Sequence, residues 1–333
     1  MVSYETVRKA EQRIAGNAGN EYIRSPLFNS RIFDSRVSSK VGRRIKVVFK
    51  AEHLQPVGSF KIRGALNFAL SLDPQVLRQG LVTHSSGNHG IAVASVGRYL
   101  KVPVKVIVPS NAAREKIFLI ESYGAEVILC EPNMESRIST CLQLVRERGM
   151  TEVPPYNHEW TMSGQGTLAL ELIEQEPDID AIIVSVGGCG MISGVIKAAK
   201  GVNPAIKVYG AEPFAADDTI SSLRDGFRRG PTDSNASTIC DALRASPPGE
   251  LCWDVVSKEC DGVFGASDSQ TTGAIRLILG DLKQMVEPSG AIATAVLLSD
   301  AFVERLVEEV HIRKIAVVLC GGNIGVDLWK SML

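Results

Sequence analysis

Lys61 stands in the run Ser59-Phe60-Lys61-Ile62-Arg63-Gly64, directly after the turn Pro56-Val57-Gly58. A lysine between Phe60 and Ile62 can have its ammonium desolvated, which lowers its pKa and frees the amine as a nucleophile. Such an amine forms a Schiff base with an aldehyde, although a single lysine also reads as an ordinary surface residue. A second cluster, Ser85-Ser86-Gly87-Asn88-His89-Gly90, follows an apolar strand predicted over 81–84. Glycines allow tight turning there, and successive N–H groups at a helix start favour anions. Four polar residues with two glycines exceed what a helix cap requires, so these side chains are candidates to hold a carboxylate or a ring oxygen. The third cluster is Val186-Gly187-Gly188-Cys189-Gly190-Met191, whose glycines let backbone amides approach a phosphate. No Gly-Lys-Ser/Thr follows it, which excludes a standard P-loop, and no G-x-G-x-x-G with an acidic partner stands in the right place for a dinucleotide. The fourth, Cys320-Gly321-Gly322-Asn323, puts a polar side chain at the end of an apolar strand, where it can touch a bound ring.

A nucleophilic lysine, a polar clamp, a phosphate cup and a ring contact together describe one aldehyde-bearing phosphate cofactor, pyridoxal 5'-phosphate. The order and wording of the four motifs resemble the fold-type II pyridoxal-phosphate enzymes, a tryptophan synthase β-like α/β fold. Within them the chain is similar to the serine racemase and serine/threonine dehydratase branch, nearest the racemases. The resemblance runs from about Ser25 to Leu328, and its most specific motifs are S-F-K-x-R-G and S-S-G-N-H. It implies that Lys61 carries the cofactor, that Phe60 packs on one ring face and that Asn88 bonds the phenolic oxygen. It further implies that Gly187, Gly188, Cys189, Gly190 and Met191 hold the phosphate through backbone amides, with Cys320 opposite the pyridine nitrogen. The substrate carboxylate would then lie on Ser85, Ser86, Asn88 and His89, with Arg137 as a charged anchor able to grip it bidentately. Arg137 reads equally as a solvated arginine of the charged helical segment 135–146. Asn157 and Gln165 fall in a matching segment without an assigned role.

Ser86 decides the expected chemistry. Racemisation needs a base on each face of the α-carbon, Lys61 on one side and a hydroxyl on the other. Racemases of this branch carry serine at the position of Ser86, and many dedicated dehydratases carry alanine. The expectation is a serine racemase with accompanying serine/threonine dehydratase activity, giving pyruvate or 2-oxobutyrate and ammonia. A dedicated dehydratase of serine, threonine or 3-hydroxyaspartate is the rival. A non-catalytic protein that binds the cofactor and an amino acid is the remote alternative. In the run Glu212-Pro213-Phe214-Ala215-Ala216-Asp217-Asp218, the resemblance matches Glu212, the Ala216 carbonyl and Asp218 to a structural Mg²⁺ or Ca²⁺ site. These are hard oxygen ligands suited to such ions; without the resemblance the run reads as an acidic helix cap.

The chain also departs from the branch. Cys189 interrupts what is usually a run of four glycines, so its side chain must point away from the phosphate. Cys320 replaces the serine typical of the racemases, Ile91 replaces a glutamine that helps bind ATP in animal racemases, and Ala245 replaces a serine near the substrate side chain.

Positioning these loops requires alternating strands and helices, and the pattern supplies them. Strands are predicted over 46–49, 104–108, 127–130, 181–186, 207–211 and 314–319, and helices over 112–123, 167–174 and 268–284. Such alternation signals an α/β fold with two open, twisted, mainly parallel sheets and flanking helices. The stretch 228–245 is rich in turn-formers and reads as a surface loop. Guided by the resemblance, residues 1–79 and 157–333 form a large cofactor-binding domain, and 80–156 a small domain carrying the substrate loop.

Bulk properties agree with a soluble enzyme. The chain has 333 residues, 45% hydrophobic and 22% charged, with a net charge of -1, so two lobes are expected. No basic stripe marks a nucleic-acid partner, and no apolar run reaches the length of a membrane span. Seven scattered cysteines, odd in number and without a C-x-x-C pair, argue against a disulfide framework. A cytoplasmic location is expected, with a small amino-acid substrate and, by family likeness, a homodimer.

Overall fold

The computed structural model describes residues 1–112, 114–233, 237–244 and 247–333. Ala245 lies outside them. Ten strands occur among the described residues: β1 (Leu27–Asn29), β2 (Lys46–Lys50), β3 (Leu81–Thr83), β4 (Val104–Pro109), β5 (Glu126–Cys130), β6 (Thr151–Glu152), β7 (Ala181–Ser185), β8 (Lys207–Pro213), β9 (Gly262–Ala266) and β10 (Lys314–Val318). They form a six-stranded sheet in the order β1-β2-β10-β7-β8-β9 and a four-stranded sheet in the order β5-β4-β3-β6. Only β1 runs antiparallel to its neighbour; every other pairing is parallel.

The parallel pairing follows from the sequence of the central strands. In β7 every residue is buried, as a strand covered by helices on both faces must be. Its side chains alternate faces: Ala181 and Ile183 enter one apolar cluster, Ile182 and Val184 the other. A third cluster lies under the small sheet and joins Val57, Ile62 and Leu66 to Ile91, Val93 and Val106. No described helix is long and apolar enough to cross a membrane, and all seven cysteines are free.

Three readings of the sequence need correction. The predicted helix over 268–284 is an α-helix only over Asp268–Leu277; a π-turn follows at Ile278–Leu282, ended by Lys283 at φ 59°. The apolar periodicity continues through that stretch, so the change of pitch is invisible in it. The stretch 228–245 is not all surface loop. Cys240 and Leu243 are buried at 0% and 6% exposure and join the core beside the short turn Asp241–Leu243. Strands β1, β6 and β9 are absent from the reading because β1 and β6 have three and two residues and β9 holds Gly262 and Gly265.

All four motif loops gather at the carboxyl ends of their strands. β3 leads into 85–90, β7 into 187–191 and β10 into 320–323, while β2 leads through the turn Glu52–Leu54 to Lys61. This edge is where open α/β sheets bind ligands. A bridge between Ser59 and Gly321 ties the first loop to the fourth.

Beneath Lys61 lies a buried ion network. Arg63 donates from Nε and Nη2 to the two Glu52 oxygens, both at 2.7 Å, and from Nη2 to Glu171 at 3.0 Å. Lys50 reaches the other Glu171 oxygen at 2.5 Å and the Ser25 carbonyl at 2.8 Å. Burial opposes the Arg63 charge, but Glu52 and Glu171 hold its pKa well above the ordinary value. Two cations thus balance two anions, with the remaining donors satisfied by Thr167 and Gln175. Removing one partner of such a group leaves an uncompensated buried charge. The Arg63→Met variant is therefore expected to lose about 3–5 kcal/mol of stability in chemical denaturation of the apoprotein. A loss below about 1 kcal/mol, the scale of an exposed ion pair, would refute a structural role.

Candidate active site

Lys61 opens the helix Lys61–Ala69, with Phe60 as its cap. Its Nζ donates to the Pro155 carbonyl at 2.7 Å and lies 5.2 Å from the centre of the Phe60 ring. Burial lowers its pKa to about 8, so the free amine becomes available just above neutral pH, far below the ordinary lysine range. Phe60 itself is buried.

The second loop begins where β3 ends. Ser85, Ser86, Gly87 and Asn88 are half-buried, and the helix Asn88–Leu100 starts among them with Gly87 as its cap. Gly90 is obligatory, because a Cβ there would sit 2.0 Å from the Ser85 carbonyl oxygen. The Ser86 hydroxyl has no hydrogen-bond partner among the described residues. Asn88 is tied on both sides: its Nδ2 donates to Glu287 at 2.6 Å, and its Oδ1 accepts from Asn323 at 2.8 Å. His89 turns away from the loop. Its ring is buried, Nε2 meets the Val153 carbonyl at 2.8 Å, and burial drives its pKa down to about 3. Its imidazole is therefore neutral, with Nε2 held at the end of the small sheet and Nδ1 without a partner among the described residues.

Arg137, from the helix Met134–Arg148, grips the backbone at the same place. Its Nε donates to the His84 carbonyl at 3.1 Å, and Nη2 donates to the same oxygen. One side of the guanidinium thereby braces the loop, and Nη1 has no partner among the described residues.

The third loop carries the phosphate cup. The N–H groups of residues 188–192 make no hydrogen bond to the described protein. They surround the start of the helix Gly190–Val202, where unpaired donors and the helix dipole favour an anion. Cys189 adopts the left-handed conformation at φ 67°. Its Sγ lies 3.6 Å from the Gly187 carbonyl and 3.5 Å from Thr219 Oγ1. The side chain therefore points away from the amides, as the interrupted glycine run demands. Gly188 and Gly190 admit no Cβ, which would meet Tyr156 at 2.4 and 2.7 Å. The cup fits a phosphate.

Cys320, at the fourth loop, donates from Sγ to the Ser289 carbonyl at 3.3 Å. Burial pushes its thiol up to about 12, so it is neutral. Glu287 is the principal site residue missing from the sequence reading. Burial raises its carboxyl to about 8. A Cβ at Gly321 would sit 2.3 Å from its Oε1. The sequence around it, Val286-Glu287-Pro288, marks only the start of the helix Pro288–Leu298, so nothing there signals a buried acid. Of the two residues without an assigned role, Gln165 accepts from the Gly64 amide at 3.2 Å and Asn157 from the Leu251 amide at 2.9 Å.

Glu212, at the end of β8, and Asp218 are both fully buried. The Glu212 oxygens accept from the Thr219 and Ile220 amides at 3.0 and 2.9 Å, whereas both Asp218 oxygens lack a hydrogen-bond partner among the described residues. Burial raises Asp218 to about 7, and burial with the nearby Asp218 raises Glu212 well above the carboxylate range. Two neighbouring buried carboxylates, the oxygens of one of them unpaired, fit a divalent cation. Ala216 closes the short turn Phe214–Ala216 between them. No group of three or more His, Cys, Asp or Glu side chains among the described residues is placed to hold a metal ion, so such an ion would need carbonyl or water ligands as well.

Comparison with known proteins gives this geometry a family. Residues 21–321 match the family model described as pyridoxal-phosphate dependent enzyme. The chain is 38% identical to a serine racemase of Oryza sativa subsp. indica, over 98% of this chain and 93% of that protein. It is 31% identical to an L-threo-3-hydroxyaspartate ammonia-lyase of a Pseudomonas species, over 99% and 98%. The solved structure of maize serine racemase superposes with a TM-score of 0.91 at 39% identity, covering 99% of this chain and 97% of that one. A desolvated lysine and a loop of unpaired amides, on a fold shared nearly end to end with these enzymes, accompany the match that places the chain in the family of pyridoxal-phosphate dependent enzymes.

Proposed function

We propose that the protein is a serine racemase that also eliminates water from serine and threonine, yielding pyruvate or 2-oxobutyrate and ammonia. The observation that carries this reading is a desolvated amine at Lys61 together with a Ser86 hydroxyl that no described residue engages. Likeness to the rice and maize racemases supports it. Pyridoxal phosphate, when bound, supplies the electron sink that lets a proton leave the substrate's α-carbon. Lys61 Nζ takes and returns that proton on one face, and Ser86 Oγ serves the other. Phe60 packs beside the ring, and the amides of residues 187–191 hold the phosphate. Asn88, kept in place by Glu287 and Asn323, orients the ring oxygen. Cys320 offers the ring nitrogen a neutral thiol and no fixed negative charge, which suits proton exchange and elimination better than transamination.

The substrate carboxylate is received by Ser85, Ser86 and Asn88, with the free side of Arg137 as anchor. His89 supports this loop from its place on Val153. Glu212, the Ala216 carbonyl and Asp218 hold Mg²⁺ or Ca²⁺, which relieves the crowding of two buried carboxylates and stiffens the large domain. Residues 80–156 form the small domain that brings Ser86 to the substrate. The working form is a cytoplasmic homodimer. A dedicated dehydratase is the second reading, favoured by the similarity to the Pseudomonas ammonia-lyase.

Incubation with L-serine, following D-serine and pyruvate together, separates the two. The native enzyme should form both products. Ser86→Ala should lose D-serine formation by about 100-fold or more, the scale of removing a general base, while keeping part of the pyruvate. Pyruvate alone from the native enzyme would decide for the dehydratase.

Cofactor uptake by the apoenzyme should depend on pH through Lys61. Below its titration point at about 8 the amine is protonated, so the uptake rate should climb by about tenfold per pH unit and level off above that point. A profile flat across this range would remove Lys61 as the capturing amine.

Chelation should lower the thermal midpoint of the holoenzyme, and Mg²⁺ or Ca²⁺ should restore it. Asp218→Asn should be insensitive to both treatments. A native protein that melts identically with and without chelator carries no such ion.

A further inference from the structure

We infer that Cys189 is a strut between the phosphate cup and the Glu212 and Asp218 pair, through which cofactor and divalent cation strengthen each other's binding. This inference rests on the cofactor and cation assignments proposed above.

Cys189 occupies an unusual place. Three non-glycine residues among those described have positive φ: Lys101, Cys189 and Lys283. Lys101 and Lys283 end helices, where the left-handed conformation is common. Cys189 instead begins one, with its side chain buried at 2% exposure. A residue with a Cβ is disfavoured in this conformation, so the surroundings must hold it there. Its carbonyl accepts from the Ser193 amide at 3.1 Å and the Ser193 hydroxyl at 2.8 Å. Its thiol reaches the Gly187 carbonyl and Thr219 Oγ1.

Thr219 continues the connection. It is fully buried, follows Asp218 directly and donates its amide to Glu212 Oε1 at 3.0 Å. One unbroken chain of contacts therefore runs from the cup through Cys189 and Thr219 to the acidic pair. Both linking side chains are shielded from water, so solvent does not replace the contact between them. Burial also pushes the Cys189 thiol well above its ordinary range, which leaves it a hydrogen-bonding group and not a nucleophile. On the opposite side, Tyr156 fills the space over Gly188 and Gly190, so the loop has little room to absorb a displacement. A cation that fixes the two carboxylates fixes the start of the helix Asp218–Asp225 and with it the Thr219 hydroxyl. That hydroxyl in turn sets the Cys189 turn on which the phosphate-binding amides depend. Coupling of this kind acts equally in both directions.

The experiment titrates apoenzyme with pyridoxal phosphate, following the visible absorption of bound cofactor, with chelator and then with saturating Mg²⁺ or Ca²⁺. Native protein is compared with Cys189→Ala, which keeps the Cβ but loses the thiol, and Cys189→Ser, which keeps a hydrogen-bonding group. The cation should lower the apparent cofactor Kd of the native protein by about fivefold or more, the lower end of typical coupling. The serine variant should keep this enhancement, and the alanine variant should retain less than about a twofold effect. Thermal melting of the unliganded variants verifies that both fold alike. Full enhancement in the alanine variant, or none in the native protein, overturns the strut while leaving the cofactor reading intact. Failure of the native protein to take up cofactor at all would overturn both.

Discussion

The ion network of Arg63, Glu52, Glu171 and Lys50 is the constraint from which the rest of the site follows. Arg63 is two residues from Lys61 on the same short helix, and its guanidinium is fully buried. A bidentate Arg–carboxylate pair fixes angle as well as distance, so Glu52 locks the orientation of that helix. Glu171 and Lys50 extend the lock to the long helix Glu159–Gln175 and to β2. Lys61 itself is thereby held without an ion-pair partner among the described residues. Its amine can be desolvated because the neighbouring helix turn is anchored elsewhere.

That separation explains the electrostatic character of the pocket. Titratable groups of the candidate site are driven toward their neutral forms by burial: Lys61 down to about 8, His89 down to about 3, Cys320 up to about 12 and Glu287 up to about 8. Formal charge is stored in the Arg63, Glu52, Glu171 and Lys50 network. The pocket is left with hydrogen-bond donors and acceptors of fixed direction. Asn88 shows the consequence, since both ends of its amide are spoken for before any ligand arrives. Pre-organisation of this kind avoids reorganisation during the reaction.

The small residues of the loops are consequences of close packing. Gly58, at φ 75°, leaves room for Asn323, whose Oδ1 would lie 2.2 Å from a Cβ there. Gly64 and Gly164 let the helix of Lys61 approach the helix Glu159–Gln175 closely: a Cβ on Gly164 would sit 2.5 Å from the Arg63 carbonyl oxygen. The motif glycine of S-F-K-x-R-G thus serves helix packing, and Gly188 and Gly190 make room for Tyr156.

The sequence alone determined the α/β class, the parallel core strands, the four loops and the identity of the cofactor, because each is written locally. Apolar runs such as 181–186 and 314–319 bury on both faces whatever surrounds them, and glycine-rich turns after strands carry their own geometry. The short strands β1, β6 and β9 and the π-turn at Ile278–Leu282 escaped it, since their pairing and pitch come from neighbours distant in the chain. Only the tertiary structure decided where the polar side chains point. It turned His89 onto Val153, gave Arg137 a carbonyl to brace, directed the Cys189 thiol toward Thr219 and enclosed Glu287 against Asn88. Those outcomes depend on which buried polar atoms can find partners across more than 25 residues of separation, and no local pattern encodes that.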